Sequence, residues 1–292
     1  MKYAIRLKIT YDYPSAVSDA RHLLRVRPRD GGGQTLQSID VAIAPRPGEH
    51  ARETDFFGNG VDAIAFFAQQ TELSVVMEAK VTVDRPPAPL DASPSLDAVA
   101  DEALHGRSAE GASPIHHLGP SRRIAPLAAL TAYVAETFET AKQPAGAAVM
   151  ALTKRIRADF AYKPGSTSVG TTVAEAFAQK RGVCQDFSHV MIAGLRANGI
   201  PARYISGFLR TEPPKGQPRL EGADAMHAWV DAWLGNDIGW VGFDPTNGIL
   251  AGNDHIVVAV GRDYSDALPI AGAFVTAGPQ ATDHFVDVVP IG

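Results

Sequence analysis

The hydrophobic period of this chain changes twice, and that ordering limits its fold more than any other feature. The first ninety or so residues alternate with a period of two. Tyr3, Ile5, Leu7, Ile9 and Tyr11 fall on one face and Arg6, Lys8 and Thr10 on the other, the pattern of a half-buried strand. Residues 35–44 and 73–83 repeat it, 22–26 is a shorter candidate, and Asn59-Gly60 is a hairpin signal. A proline-rich break, Asp84-Arg85-Pro86-Pro87-Ala88-Pro89, follows. From Pro126 the apolar residues recur at helical spacing: Leu127, Leu130, Val134 and Phe138, then Val149, Leu152 and Ile156. From Ala202 the period returns to two, over 202–209, 225–234, 239–243 and 255–260. Strands, then helices, then antiparallel strands predict the α+β class. The expected division is a small antiparallel β domain at 1–90, a connector at 91–125 and a core of helices packed on an antiparallel sheet at 126–292.

The connector carries one short helical pattern, near 96–104, and adjacent His116 and His117, expected as a solvent-exposed pair since no acidic or sulfur partner lies near them in sequence. No stretch approaches the ~18 to 20 apolar residues of a membrane span, and the N-terminal alternation differs from the apolar block of a signal peptide. A net charge of -5, from 32 acidic and 27 basic residues, gives no basic excess for nucleic acid or an anionic membrane. A cytoplasmic location is therefore expected. A single cysteine closes no intramolecular disulfide.

That cysteine, Cys184, stands in Arg181-Gly182-Val183-Cys184-Gln185-Asp186-Phe187-Ser188-His189. A glycine turn precedes it. The apolar positions Phe187, Val190, Met191 and Leu195 follow at helical spacing, up to a stop at Asn198-Gly199. Cys184 is thus expected in the first turn of a helix, where free backbone N–H groups and the helix dipole favour a thiolate. Upstream, Thr172 and Glu175 fit a capping box.

A base and an orienting group come from the later strands. In 226–234, His227, Trp229, Asp231 and Trp233 share one face and Ala228, Val230, Ala232 and Leu234 the other. A short link, Gly235-Asn236-Asp237-Ile238, makes the next strand its natural antiparallel partner. Asp244 ends that strand before Pro245, at roughly the distance of His227 from the turn, which brings carboxylate and imidazole within reach of each other. Cys184, His227 and Asp244 then supply nucleophile, base and orienter for acyl transfer. The N–H of Cys184 is the first donor for an oxyanion.

Several motifs together resemble the transglutaminase-like superfamily of papain-related cysteine enzymes: Tyr162-x-Pro164-Gly165, Gly182 to His189, Gly199-Ile200-Pro201-Ala202-Arg203-Tyr204-Ile205-Ser206-Gly207, His227-Ala228-Trp229-Val230 and Phe243-Asp244-Pro245-Thr246-Asn247. The strand-rich N-terminal part is similar to the β domain ahead of this core in bacterial members. The resemblance implies a papain-like transglutaminase core, a Cys-His-Asp triad and acyl transfer at amide or peptide bonds through a thioester. It further implies that an aromatic residue upstream of the cysteine, here Tyr162, helps the oxyanion. Gln185 is a possible hydrogen-bond donor at the cleft, and Trp229 a candidate for its wall. Asp186 is expected to complement the helix dipole, His189 to be packed or solvated, and Asp224 to contact substrate or belong to a polar loop.

No cofactor or metal is expected. One cysteine with scattered histidines forms no ligand pair at zinc spacing, and Gly31-Gly32-Gly33 lacks the lysine-serine sequel of a phosphate loop. The expected partner is a peptide or protein substrate. Hydrolysis is the first expectation, with glutamine transamidation and a catalytically silent binding module as alternatives.

Overall fold

The computed structural model describes residues 1–211, 222, 224–275 and 280–292. The alternation of the first 24 residues builds one long strand, β1 (Lys2–Leu24), which bends where its pairing with β5 shifts register between Asp12 and Val17. The segment at 22–26, expected as a separate strand, therefore begins inside the far arm of β1. β2 (Gln34–Ala44), β3 (Glu49–Thr54), β4 (Gly60–Phe66) and β5 (Gln70–Val83) complete the N-terminal sheet in the order β2-β5-β1-β4-β3. β3 escaped the periodicity because all six of its residues are exposed, so it has no apolar face to alternate.

The Asn59-Gly60 signal marks the β3–β4 connection, and Asn59 also reaches a different sheet. Its buried side chain donates to the Val260 carbonyl (2.7 Å) and accepts from the Val260 N–H (2.8 Å). That pairing satisfies two backbone groups which would otherwise lie buried and orphaned.

The core contains α1 (Leu96–His105), α2 (Ala128–Ala135), α3 (Ala145–Asp159), β6 (Ala161–Tyr162), α4 (Val173–Gln179), β7 (Arg181–Gly182) and α5 (Cys184–Ala197). An antiparallel sheet follows: β8 (Ala202–Leu209), β9 (Ala225–Trp233), β10 (Trp240–Asp244), β11 (Ile249–Leu250) and β12 (His255–Gly261), ordered β11-β10-β9-β8-β12. The Thr172/Glu175 capping box forms: the Thr172 hydroxyl accepts from the Glu175 N–H, and the Glu175 carboxylate accepts from the Thr172 N–H. Such a cap stabilises a helix by about 1 kcal/mol. From Asp186 to Arg196, α5 is buried on all sides, lying between the other helices and the sheet. It ends at Asn198, with Gly199 taking the left-handed conformation (φ 80°) that glycine accepts without cost.

Most of the period-two pattern of β9 divides as expected, although Trp233, expected on the face of Trp229, joins the helical core. Ala228, Val230 and Ala232 pack into the helical core, while Trp229 turns to the opposite face with Ile205 and Val260. Phe208, Ile256 and Val258 join the core formed by β1 and β5, so the central sheet is covered on both sides.

Two further strands, β13 (Ile270–Val275) and β14 (Ala281–Pro290), leave the core and pair antiparallel with β1, with Ile5 opposite Val288 and Leu7 opposite Val286. The tail of the segment assigned to the core at 126–292 thus completes the N-terminal sheet. A period-two pattern shows that a segment is a strand with one buried face, but not which sheet receives it. His117 also departs from expectation: it is fully buried, its ring 5.8 Å from Phe57 and 5.1 Å from Trp240. Its aromatic partners come from the β domain and the central sheet, far from it in sequence. Among the described residues no helix is long and apolar enough to cross a membrane.

Candidate active site

The site begins with a close approach. β6 and β7 pair in parallel, Tyr162 beside Gly182, and the chain passes through extended Val183 into α5. Asp186 folds back over Gly182. A Cβ at 182 would lie 2.5 Å from its carboxylate oxygen, so the residue there must be glycine. From this position Asp186 accepts the Val183 N–H (2.8 Å) and the Thr167 hydroxyl (2.7 Å). It thereby caps the helix, as its place in the first turn suggested. Cys184 is left half-buried as the first residue of α5, where the backbone N–H groups have no partners within the helix.

His227 approaches from β9. It is paired with Gly207 of β8, and a Cβ on Gly207 would meet the Trp229 ring at 2.7 Å and the Ile256 carbonyl at 2.0 Å. That missing side chain lets Trp229 lie against His227, with ring centroids 6.0 Å apart and stacked. Trp229, expected at the cleft wall, is 1% exposed and acts as a buried support beneath the imidazole.

The β9–β10 register makes Val230 and Phe243 the last pair, so Asp244 falls level with Trp229 rather than His227. The imidazole reaches it diagonally on the shared face: His227 Nε2 lies 2.8 Å from Asp244 Oδ2. Asp244 is wholly buried and fully engaged. Its Oδ1 accepts the N–H groups of Thr246 (2.9 Å) and Asn247 (3.2 Å) in the turn opened by Pro245. Its Oδ2 also accepts from the Asn247 side chain (2.6 Å) and faces His255 Nε2 (3.2 Å). His255 Nδ1 accepts the Gly252 N–H (3.2 Å), which makes Nε2 its protonated nitrogen and the donor to Asp244.

The electrostatics follow from this packing. Burial opposes charge on Asp244, yet hydrogen bonds to His227 and His255, the charge of His227 and the Asn247 amide hold its carboxyl far below the usual range. Burial likewise opposes charge on His227. The hydrogen bond to Asp244, another to Cys184, and the charges of both outweigh it and raise the imidazole to about 9. With Nε2 committed to Asp244, Nδ1 is the ring nitrogen available to the thiol.

The structure therefore brings Cys184, His227 and Asp244 together. Tyr162 stays near but open, 52% exposed, its ring edge-on to Phe187 at 6.4 Å. Burial raises its pKa, and the neighbouring Cys184 adds to the effect, which puts the phenol within electrostatic reach of the thiol. Gln185 directs its amide to the Val169 carbonyl (3.4 Å), a loop contact. Asp224 is structural, accepting the N–H groups of Thr211 (2.6 Å) and Val288 (2.7 Å). His189 is buried, accepts the Tyr264 N–H at Nε2 (3.2 Å), and is held down to about 4 by burial. The proline-rich loop at 213–218 lies outside the described residues.

His255 and Asn247 were missed as partners of Asp244. Asn247 lay in plain view inside Asp244-Pro245-Thr246-Asn247-Gly248. His255 carried only its place at the head of a strand. The ligand atoms of His227, Asp244 and His255 lie within 4.8 Å of one another, so among the described residues these are the ones that could hold a metal. As they stand, one carboxylate oxygen is shared by both imidazoles and the second nitrogen of His255 is occupied, so a cation would have to break these bonds.

A thiol at a helix start, an imidazole on an antiparallel strand and a buried carboxylate on the next define the class of papain-type folds with a thiol centre. Within that class, residues 131–245 match the transglutaminase-like superfamily and residues 3–82 match the bacterial transglutaminase-like N-terminal region; the chain belongs to this superfamily. An uncharacterised Mycobacterium tuberculosis protein is 34% identical over 99% of this chain and 93% of its own length. A Pseudomonas aeruginosa protein-glutamine gamma-glutamyltransferase is 34% identical over 117 residues, 39% of this chain and 17% of its own. The crystal structure of a candidate cysteine protease from Cytophaga hutchinsonii superposes with a TM-score of 0.73 at 23% identity, covering 99% of this chain and 90% of that one, and shares the fold.

Proposed function

We propose that this protein is a cysteine-dependent acyl-transfer enzyme acting on an amide bond in a peptide or protein, with water as the acceptor. The observation that carries the reading is the His227–Asp244 pair: a buried carboxylate fixes Nε2 at 2.8 Å and keeps the imidazole charged up to about pH 9, with the thiol as its other neighbour. In the reactive form of this pair the thiol proton rests on His227, which leaves a thiolate at Cys184 beside an imidazolium. The thiolate of Cys184 attacks the amide carbon, and the oxyanion formed faces the N-terminal turn of α5 and the Tyr162 hydroxyl. As the C–N bond breaks, the His227 imidazolium gives its proton to the leaving amine and a thioester remains. Neutral His227 then takes a proton from water, whose oxygen attacks the thioester. The carboxylic acid leaves and the thiol is restored. Asp244 stays ionised throughout and stabilises the charge on the ring.

Transamidation is the second reading, favoured by the match of the core to the Pseudomonas protein-glutamine gamma-glutamyltransferase. Both chemistries share the thioester and part at the acceptor. A cytoplasmic site of action belongs to the same proposal, supported by a lone cysteine that needs no oxidising compartment. The test offers an acyl donor with and without excess primary amine to the native protein and to Cys184→Ala. Carboxylic acid release without amine, lost in the variant, supports hydrolysis. Product formed only with amine refutes hydrolysis in favour of transamidation. No turnover, together with a Cys184 that resists iodoacetamide, refutes the enzyme reading.

A further inference from the structure

On the β-domain side of the central sheet, a cavity of about 490 Å³ lies between the turn after Arg29, the side chain of Arg85, and Arg203, Trp229, Asp231 and Gly242. Its volume falls in the range of small-molecule sites. Its charge is unbalanced in a specific way. Arg203 has a carboxylate partner, Asp231 Oδ2 at 2.9 Å. Arg29 donates only to the Phe57 carbonyl and the Asn59 side-chain oxygen. Arg85 donates only to neutral oxygens, those of Gly32, Gly252, His255 and Gln34. The neighbouring acids are already in use: Asp55 pairs with Arg25 (2.9 Å), and exposed Asp30 accepts the Leu36 N–H. Half-buried arginines normally sit against a carboxylate, and among the described residues neither Arg29 nor Arg85 does. Burial, then the charge of Arg203, push the Arg29 guanidinium below its usual range, offset in part by the more distant charges of Asp55 and Asp231; burial does the same to Arg85, with Asp231 opposing it.

A second observation points into the same space. Trp229 is 1% exposed and lines the cavity, and its indole N–H donates to no described residue. A Cβ at Gly242 would lie 3.5 Å from that nitrogen, 3.3 Å from Asp231 Oδ1 and 2.7 Å from the Ala251 methyl. Gly242 has no left-handed backbone to explain it. Its effect is to keep open the room in front of the indole N–H and the unused oxygen of Asp231.

We infer that this cavity is a binding site for a small oxyanion, a carboxylate or a phosphate, seated on Arg29, Arg85 and the indole N–H of Trp229. A hydroxyl or ammonium on the same ligand would find Asp231 Oδ1 as its acceptor. The Trp229 ring separates this space from His227, so it is a second site beside the candidate catalytic centre and its existence does not depend on the chemistry proposed there.

The protein contains three tryptophans, so indole N–H resonances report the site directly. Inorganic phosphate and succinate are titrated separately into the full-length protein at constant ionic strength, with chloride as control. Saturable movement of the indole resonance that is absent from Trp229→Phe is expected with at least one of them. Calorimetry should show that anion binding about 10-fold more weakly to Trp229→Phe, which keeps an aromatic side chain and loses the indole N–H bond to a charged group. Response to phosphate alone, succinate alone or both identifies the oxyanion class. No saturable shift with either anion, a shift matched by chloride, or unchanged affinity in Trp229→Phe overturns the inference. Arg29→Lys provides a second variant, in which binding should weaken by a similar factor through loss of the planar fork.

Discussion

His227 Nε2 stands 2.8 Å from Asp244 Oδ2, and that carboxylate side chain has no exposed surface. The pair binds the two sheet strands at the edge of the thiol site and sets the proton affinity of the imidazole.

Replacing Asp244 with Asn keeps the shape and removes the charge. The alkaline limb of the activity profile, expected near 9 where His227 loses the proton it gives to the leaving amine, should move toward the ordinary 6.5. On the precedent of serine-protease triads, kcat/KM should fall by a factor on the order of 10² to 10⁴. An unmoved alkaline limb in Asp244→Asn would contradict the assignment.

Stability should carry the same signature. The imidazole is raised in the folded state, so protonation favours folding. The contribution is full below 6.5 and is lost as pH rises through about 9. Denaturant midpoints of the native protein should therefore decline from pH 7 to 9.5 more steeply than those of His227→Gln, measured in parallel.

Acid acts through other histidines. Burial holds His117 down to about 3 and His189 to about 4, so folding keeps both neutral while the unfolded chain binds protons below 6.5. Stability is present above 6.5 and falls as pH drops from there toward 3–4, by up to about 1.4 kcal/mol per pH unit for each group. His117→Gln should flatten this acid limb. Equal slopes in the two proteins would show that His117 is not buried neutral.

His255 bonds to Asp244 and also packs its ring near those of His227 (6.1 Å between centroids) and Trp229 (5.2 Å). His255→Ala removes its bond to Asp244 Oδ2 and should lower kcat about 10-fold with little change in KM. The alkaline limb should shift by less than in Asp244→Asn, since the Asp244 charge is retained. A change confined to KM would place His255 at the substrate.

Gly207→Ala tests the support under the imidazole. The added methyl would meet the Ile256 carbonyl at 2.0 Å and the Trp229 ring at 2.7 Å. Overpacking of this kind destabilises by about 1–3 kcal/mol or more. The melting temperature should fall, while Gly170→Ala, facing only the Ser168 hydroxyl at 3.6 Å, should leave it nearly unchanged.

Much of this site was legible because its parts sit at the ends of locally coded elements. Gly182 and the helical run after it place Cys184 at a helix start, and period two puts His227 and Trp229 on one face. The short 235–238 link makes β9 and β10 neighbours. The register was less legible: equal distance from the turn suggested His227 opposite Asp244, whereas Asp244 lies level with Trp229. For Gln185 the sequence leaves a donor at the cleft and an exposed side chain both open, and in the fold its amide lies near the Val169 carbonyl.

The order of hydrophobic periods by itself determined the α+β class, the position of the thiol and the pair of strands that brings base and carboxylate together, because each depends on contacts between residues close along the chain. Tertiary structure decided the rest. It returned β13 and β14 to β1, buried His117 between Phe57 and Trp240, added His255 and Asn247 to Asp244, and enclosed Arg29, Arg85 and Trp229 around one cavity. Apart from Asn247 and His255, three and eleven positions from Asp244, those contacts join residues tens to hundreds of positions apart, and their energies come from burial and complementary charge. A local pattern shows that a face must be covered; only the folded chain supplies what covers it.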